Sequence, residues 1–149
     1  MISTLTNTEI ALMHLRKAID LYLSPLQSDV LCSITLAGVA EEVLGKVVIK
    51  KGGSSALQNK IAILSGMHLA AYQEKADPKV YVQLRNRARN NLKHSDELSE
   101  FALDIEKEAV AMIRRAIENC RKLSLGPKVN LRAFLTESLK RDRLRNKGA

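Results

Sequence analysis

Arg89, Asn90 and His94 place a guanidinium, an amide and an imidazole close together on one predicted helix. An imidazole titrates near neutrality and can exchange a proton during a reaction, and a fixed guanidinium can hold a phosphate. No acidic residue occurs between Asp77 and Asp96. The cations of this stretch are Lys79, Arg85, Arg87, Arg89 and Lys93. Such a one-signed surface attracts anions, and phosphate is the most common candidate.

The helix that carries these residues is predicted to begin at Asp77-Pro78, a capping residue followed by proline. At about 100° per residue, its apolar side chains share one arc, which we expect to face the core. These are Tyr81, Leu84, Ala88 and Leu92. The opposite side then carries the candidate site. Its members are Asn86, Asn90 and Lys93, with Arg89 and His94 on the two flanks.

This polar side departs from local helix preferences. Arg85 and Arg89 are like charges one turn apart, and asparagines are poor helix formers. Such departures gather at functional sites. A second interpretation is structural, because Lys and His near the end of a helix also stabilise its dipole.

The rest of the chain also has a helical pattern, with no hairpin signature and no internal repeat. Further helices are expected to begin at Thr6 in a capping box with Glu9, at Ser28 or Asp29, at Ser54 or Ser55, at Asp104 and at Asn130. Pro25, Gly52-Gly53 and Gly126-Pro127 are expected to end helices. The sequence therefore predicts an all-α bundle, with one domain over residues 1–139 and a basic tail over residues 140–149.

The composition is that of a globular protein: 149 residues, 46% hydrophobic and 27% charged, with a net charge of +8. No apolar run approaches the ~20 residues of a membrane span, and no secretory signal is visible, so we expect a cytoplasmic protein. Cys32 and Cys120 fall on apolar stripes and are predicted to be buried. With no metal-ligand spacing, we expect no metal and no cofactor. The basic tail is either a solubility feature or a weak attraction to nucleic acid.

The pattern Arg-Asn-x3-His at Arg89, Asn90 and His94 resembles the Arg-x(4–6)-His motif of the HEPN (higher eukaryotes and prokaryotes nucleotide-binding) superfamily. Two further segments are similar to helices of uncharacterised bacterial HEPN-like proteins. They are residues 36–46, LAGVAEEVLGK, and residues 106–119, EKEAVAMIRRAIEN. The resemblance covers about residues 8–125.

The resemblance implies an antiparallel bundle that forms a homodimer with one composite cleft, and metal-independent RNA cleavage. His94 would then act as general acid or base at the ribose 2′-OH, and Arg89 would hold the scissile phosphate. Asn90 would orient one of them or bind phosphate. The residues expected to contact the RNA backbone are Arg85, Asn86 and Lys93. The family analogy suggests a toxin or defence setting, with an antitoxin or a nucleotidyltransferase as partner.

Two carboxylates have an open interpretation. Glu41 and Glu42 either face the cleft and pair with Arg85 or Arg89, or form a solvated helix face; Glu41 is the expected cleft acid because it borders an apolar stripe. Two other functions also stay open. One is a noncatalytic HEPN-like module that binds a nucleotide, RNA or a partner protein, and the other is a helical dimer whose basic face docks an acidic partner.

Overall fold

A computed structural model describes residues 4–93, 102–125 and 131–147 of the protein. Within these ranges the chain forms six α-helices and no β-strand, which confirms the all-α prediction. The helices are α1 (Asn7–Leu23), α2 (Gln27–Lys50), α3 (Ala56–Tyr72), α4 (Pro78–Lys93), α5 (Ile105–Lys122) and α6 (Leu131–Lys147).

Most predicted helix starts are confirmed. They could be predicted because each depends on bonds between residues that are close in sequence. The Thr6 backbone N–H donates to the Glu9 carboxylate over 2.8 Å, and the Glu9 N–H donates to the Thr6 hydroxyl over 3.2 Å. At the start of α4, the Lys79 N–H donates to Asp77 Oδ1 over 2.9 Å. Both contacts satisfy backbone donors that a helix N-terminus leaves free.

The predicted start of α2 at Ser28 or Asp29 is wrong. This helix begins at Gln27, and its capping residue, Leu26, makes no side-chain capping bond. The cause lies in the short connection from α1, where the Ser24 hydroxyl accepts a bond from the Leu26 N–H over 3.2 Å. That bond turns the chain before a polar side chain reaches the capping position.

The core lies around α2, which packs against both α1 and α5. Its buried positions include small residues such as Ala37, Gly38 and Ala40, which allow neighbouring helices to approach closely. Helix α6 closes one side of this core through Phe134, whose ring meets Tyr22 edge-on at 5.3 Å between centroids. Helix α4 contacts α2 and α3 and lies next to the same core through Ala88.

Helix α6 continues through Lys147, past the start of the basic tail predicted at residue 140. Arg141 explains why this segment is ordered against the bundle. Its Nε donates to the Glu137 carboxylate over 2.9 Å, and its Nη2 donates to the Ser24 carbonyl over 3.2 Å. The guanidinium also lies 4.8 Å from the centre of the Tyr22 ring, a favourable cation–π distance.

The outer helices leave apolar surface exposed. Ala56 and Ile61 are the only buried residues of helix α3, while Met67 is 63% exposed. Cys120 is buried as predicted, but Cys32 is exposed, so that prediction is wrong for Cys32. Among the described residues, no helix combines the length and apolar composition that a membrane span requires.

Candidate functional site

Helix α4 presents a different side to the bundle from the one that its sequence predicts. Leu84, a predicted core residue, is 58% exposed, whereas Asn86, predicted on the polar side, is only 7% exposed. Ala88 is buried as predicted, and Arg85 and Arg89 are half-buried. The inward side of α4 is therefore centred on Arg85 and Arg89, and it includes Ala88 but not Leu84.

Arg89 lies against the backbone of α2. Its Nη1 donates to the Gly38 carbonyl over 3.4 Å and forms an ion pair with Glu42 Oε2 at 3.1 Å. The other carboxylate oxygen of Glu42 is 2.7 Å from Lys46 Nζ. The Arg89 side chain is 19% exposed, so this guanidinium is held in a fixed place at the edge of the bundle.

The partner of Asn86 is a residue that sequence reasoning missed. Arg115 of α5 donates from Nη2 to Asn86 Oδ1 over 3.2 Å. It also donates to the Arg85 carbonyl from both terminal nitrogens, at 3.3 and 3.4 Å. Arg115 thereby ties α4 to α5, and Asn86 lies inside the bundle instead of on an exposed polar face.

Glu41, the predicted cleft acid, lies beneath the same arginine. It is 3% exposed, and its Oε1 is 4.0 Å from Arg115 Nε. Burial raises the pKa of the Glu41 carboxyl above its ordinary value, and the charges of Arg115 and Arg89 offset part of that rise. Burial likewise lowers the pKa of the Arg115 guanidinium. The carboxylate that meets Arg89 directly is Glu42, the second of the two candidates.

Asn90 faces another direction. It borders an open groove of about 310 Å³ on the outer side of α4, together with Gln83, Leu84 and Arg87. Arg85 borders a separate groove between α3, α4 and α5. The Lys93 side chain and the whole of His94 lie outside the described residues. The predicted site residues that the structure describes thus point to different sides of α4.

Asn119 is the second buried polar residue that the sequence did not single out. Its Nδ2 donates to the Glu41 carbonyl over 3.1 Å, and its Oδ1 accepts from the Ala56 N–H over 2.8 Å. One amide therefore joins α2 to the first residue of α3. The available signal was a polar residue directly before Cys120 on an apolar stripe, because a buried amide in such a place needs partners.

Within residues 4–93, 102–125 and 131–147, no three metal-binding side chains come together. Arginine and amide groups dominate the described surroundings of α4, and their chemistry is the binding of anions and of backbone carbonyls. The chain matches no protein-family model, no curated protein and no solved structure.

Proposed function

We propose that this chain is a HEPN-like RNA-binding protein that cleaves RNA without a metal ion, at a site completed by a second copy. The observation that supports the proposal is the Arg89 guanidinium, held at the boundary of α2 and α4 and paired with Glu42 at 3.1 Å. A phosphate presents two oxygens to a guanidinium much as a carboxylate does. In the proposed complex, an RNA phosphate replaces Glu42 on Arg89.

In this mechanism the ribose 2′-OH attacks the adjacent phosphorus, so a 2′-O–P bond forms and the P–O5′ bond breaks, which leaves a 2′,3′-cyclic phosphate and a free 5′-OH. His94 moves the proton of the 2′-OH to the departing 5′-oxygen, and Arg89 stabilises the negative charge that develops on the nonbridging phosphate oxygens. Asn90 lies on another side of α4 from Arg89, so its role is to orient His94, four residues further along the sequence, while Lys93 contacts a neighbouring phosphate. Aromatic residues make up 3% of the chain and there is no tryptophan, so few side chains could stack on RNA bases. The proposed contacts are therefore with the phosphate backbone of the RNA.

The proposed homodimer uses the α3 apolar face, which we define as Ile63, Gly66, Met67 and Ala70. These residues follow a helical spacing, and all four are exposed. No Lys, Arg, Asp or Glu occurs from Ile61 to Gln73, whereas the whole chain carries a net charge of +8. Two positively charged copies of the chain repel each other where charged surfaces meet. An uncharged face is therefore the best surface for self-association.

A noncatalytic module is the second candidate. It is favoured because two α4 side chains already have partners within one chain. Asn86 bonds to Arg115, and Arg89 bonds to Glu42. A module of this kind binds RNA, a nucleotide or a partner protein and leaves it unchanged. The third candidate, docking of an acidic protein, uses the same positive charge.

Two substitutions test the catalytic proposal on varied RNAs. His94→Ala should reduce cleavage by about 10²–10⁴-fold with little loss of binding, because it removes proton transfer alone. Arg89→Ala should weaken both. Arg87→Ala is the matched control, since it removes the same charge two residues away on the outer side of α4. A chelator should leave cleavage unchanged.

RNA that is bound but stays intact would support the module instead. Recovery of a single acidic protein without RNA would support docking. In the toxin or defence setting, the proposed partner is an antitoxin or a small nucleotidyltransferase. A neighbouring gene of either kind would favour that setting, and co-expression should then relieve any growth arrest that this chain causes.

A further inference from the structure

The groove between α3, α4 and α5 is separate from the Arg89–Glu42 pair. It has a volume of about 290 Å³ and collects charged side chains from all three helices. The cations are Lys60, Arg85, Arg114 and Arg115, and the acids are Glu108 and Glu118. Leu84 and Ala111 supply an apolar wall beside them.

Most of the positive charge in this groove is uncompensated. In the part of the chain that the structure describes, Lys60, Arg85 and Arg114 form no ion pair. Glu118 is already paired with Lys122 at 3.0 Å. Glu108 is therefore the carboxylate that remains to balance three cations.

Arg115 fixes the floor of the groove. This residue is 8% exposed, and its Nε is buried without a hydrogen-bond partner among the described residues. Its terminal nitrogens donate to the Arg85 carbonyl, and these bonds fix the position of the Arg85 backbone relative to α5. The backbone of Arg85 thus starts from a position that the fold determines, and less ordering of this residue is needed when an anion binds.

We propose that this groove binds a small phosphate monoester whose organic part lies against Leu84 and Ala111. Setting aside Arg115, which faces Glu41, and Glu118, which is paired with Lys122, the groove has three cations against one acid, an excess of two. A phosphate monoester near neutral pH carries about that charge with the opposite sign. A simple carboxylate carries half of it, and inorganic phosphate lacks an apolar part. This assignment does not depend on RNA cleavage.

The test is calorimetric titration of the full chain with phenyl phosphate and with inorganic phosphate. Phenyl phosphate should bind at one site and more tightly than inorganic phosphate, because its ring covers apolar surface. Lys60→Gln and Arg114→Gln change exposed side chains. Each should weaken the binding of phenyl phosphate about tenfold, because a charge-assisted hydrogen bond is lost. Glu108→Gln should strengthen binding, because it removes a like charge.

Two control variants separate this site from general attraction to a basic protein. Arg87→Gln removes one positive charge from the outer side of α4, and Glu74→Gln removes one negative charge beyond the far end of α3. Neither should change the affinity. Equal effects of the Arg87 and Arg114 variants, or no saturable binding at all, would overturn the proposal.

A short RNA that displaces phenyl phosphate and itself loses affinity in Arg114→Gln would also overturn the small-molecule assignment. It would identify the groove as an extension of an RNA surface. Cleavage assays on the same variants keep the two proposals distinct, since RNA cleavage depends on Arg89 and His94 whichever way this titration ends.

Discussion

Arg89 of α4 passes directly over Gly38 of α2. A β-carbon at residue 38 would lie 2.5 Å from the Arg89 Cδ, well inside contact distance. The absence of a side chain at Gly38 therefore allows the guanidinium to reach the α2 backbone and Glu42. This contact, together with the bonds from Arg115 to α4, explains why α4 turns Arg85 and Arg89 inward.

Gly38→Ala should have opposite effects on stability in two backgrounds. With Arg89 present, the added methyl displaces that side chain, at a cost of about 1–3 kcal/mol. With Arg89→Ala, the clash is gone and the better helix former should stabilise the protein by up to ~1 kcal/mol. Denaturant unfolding of the four proteins of this cycle measures the difference.

The control for that cycle is Gly66→Ala. Gly66 lies in α3 with no neighbouring atom within 4 Å of its ideal β-carbon position. This substitution should change the free energy of unfolding by the same amount in both backgrounds. If Gly38→Ala also behaves equally in both, Arg89 is not held over α2.

Glu41 should make stability depend on pH. Its pKa is raised in the folded chain by burial, so the folded state retains a proton that the unfolded state releases. The contribution of this residue to the free energy of unfolding therefore falls as the pH rises above its ordinary pKa of 4.5. Glu41→Gln has no such proton. The stability of wild type relative to Glu41→Gln should decline across that window, and parallel pH curves would contradict the direction of the shift.

Met67→Glu should disrupt the proposed homodimer. A carboxylate at the centre of the α3 apolar face must lose its water when a second copy binds, so dissociation should increase by more than about tenfold. Sedimentation velocity measures this change. Leu144→Glu is a matched control, because Leu144 is 62% exposed on α6 and Met67 is 63% exposed on α3. A dimer that survives Met67→Glu would place the interface elsewhere.

The two cysteines should differ sharply in reactivity. Cys32 is exposed, whereas Cys120 is buried and its pKa is raised to about 11 by that burial. Because the thiolate is the reacting form, a thiol reagent should modify one cysteine quickly in the native protein and the second only after unfolding. Cys32→Ser should abolish the fast reaction, and Cys120→Ser should leave it intact.

Local signals predicted the helices well, but they did not predict the rotation of α4. The Thr6–Glu9 capping box and Asp77-Pro78 are readable because their partners are neighbours in sequence. The exposure of Leu84 could not be predicted from the sequence, because it follows from the contacts that α4 makes with Gly38 of α2 and Arg115 of α5. Apolar periodicity alone favoured the opposite result, and buried arginine contacts outweighed it.

Other differences have causes of the same kind. Cys32 lies roughly 200° around α2 from Val30, so a stricter use of the helical angle places it away from the buried stripe. The continuation of α6 past residue 140 depends on Arg141 meeting Tyr22 and Ser24, far away in the chain. Arg115 and Asn119 could be suspected from polar positions beside an apolar stripe, but their partners on α2, α3 and α4 could not.

Asn119 and Arg115 lie one helical turn apart on α5, and they attach the base of α3 and the middle of α4, respectively. Helices α3 and α4 are thus both bonded to the same side of α5. The connection over residues 73–77 joins the end of α3 opposite Ala56 to the start of α4, outside both anchored positions. A change in the length of that connection should therefore alter the two helix ends that it joins, while Ala56 and Arg85 stay bonded to α5.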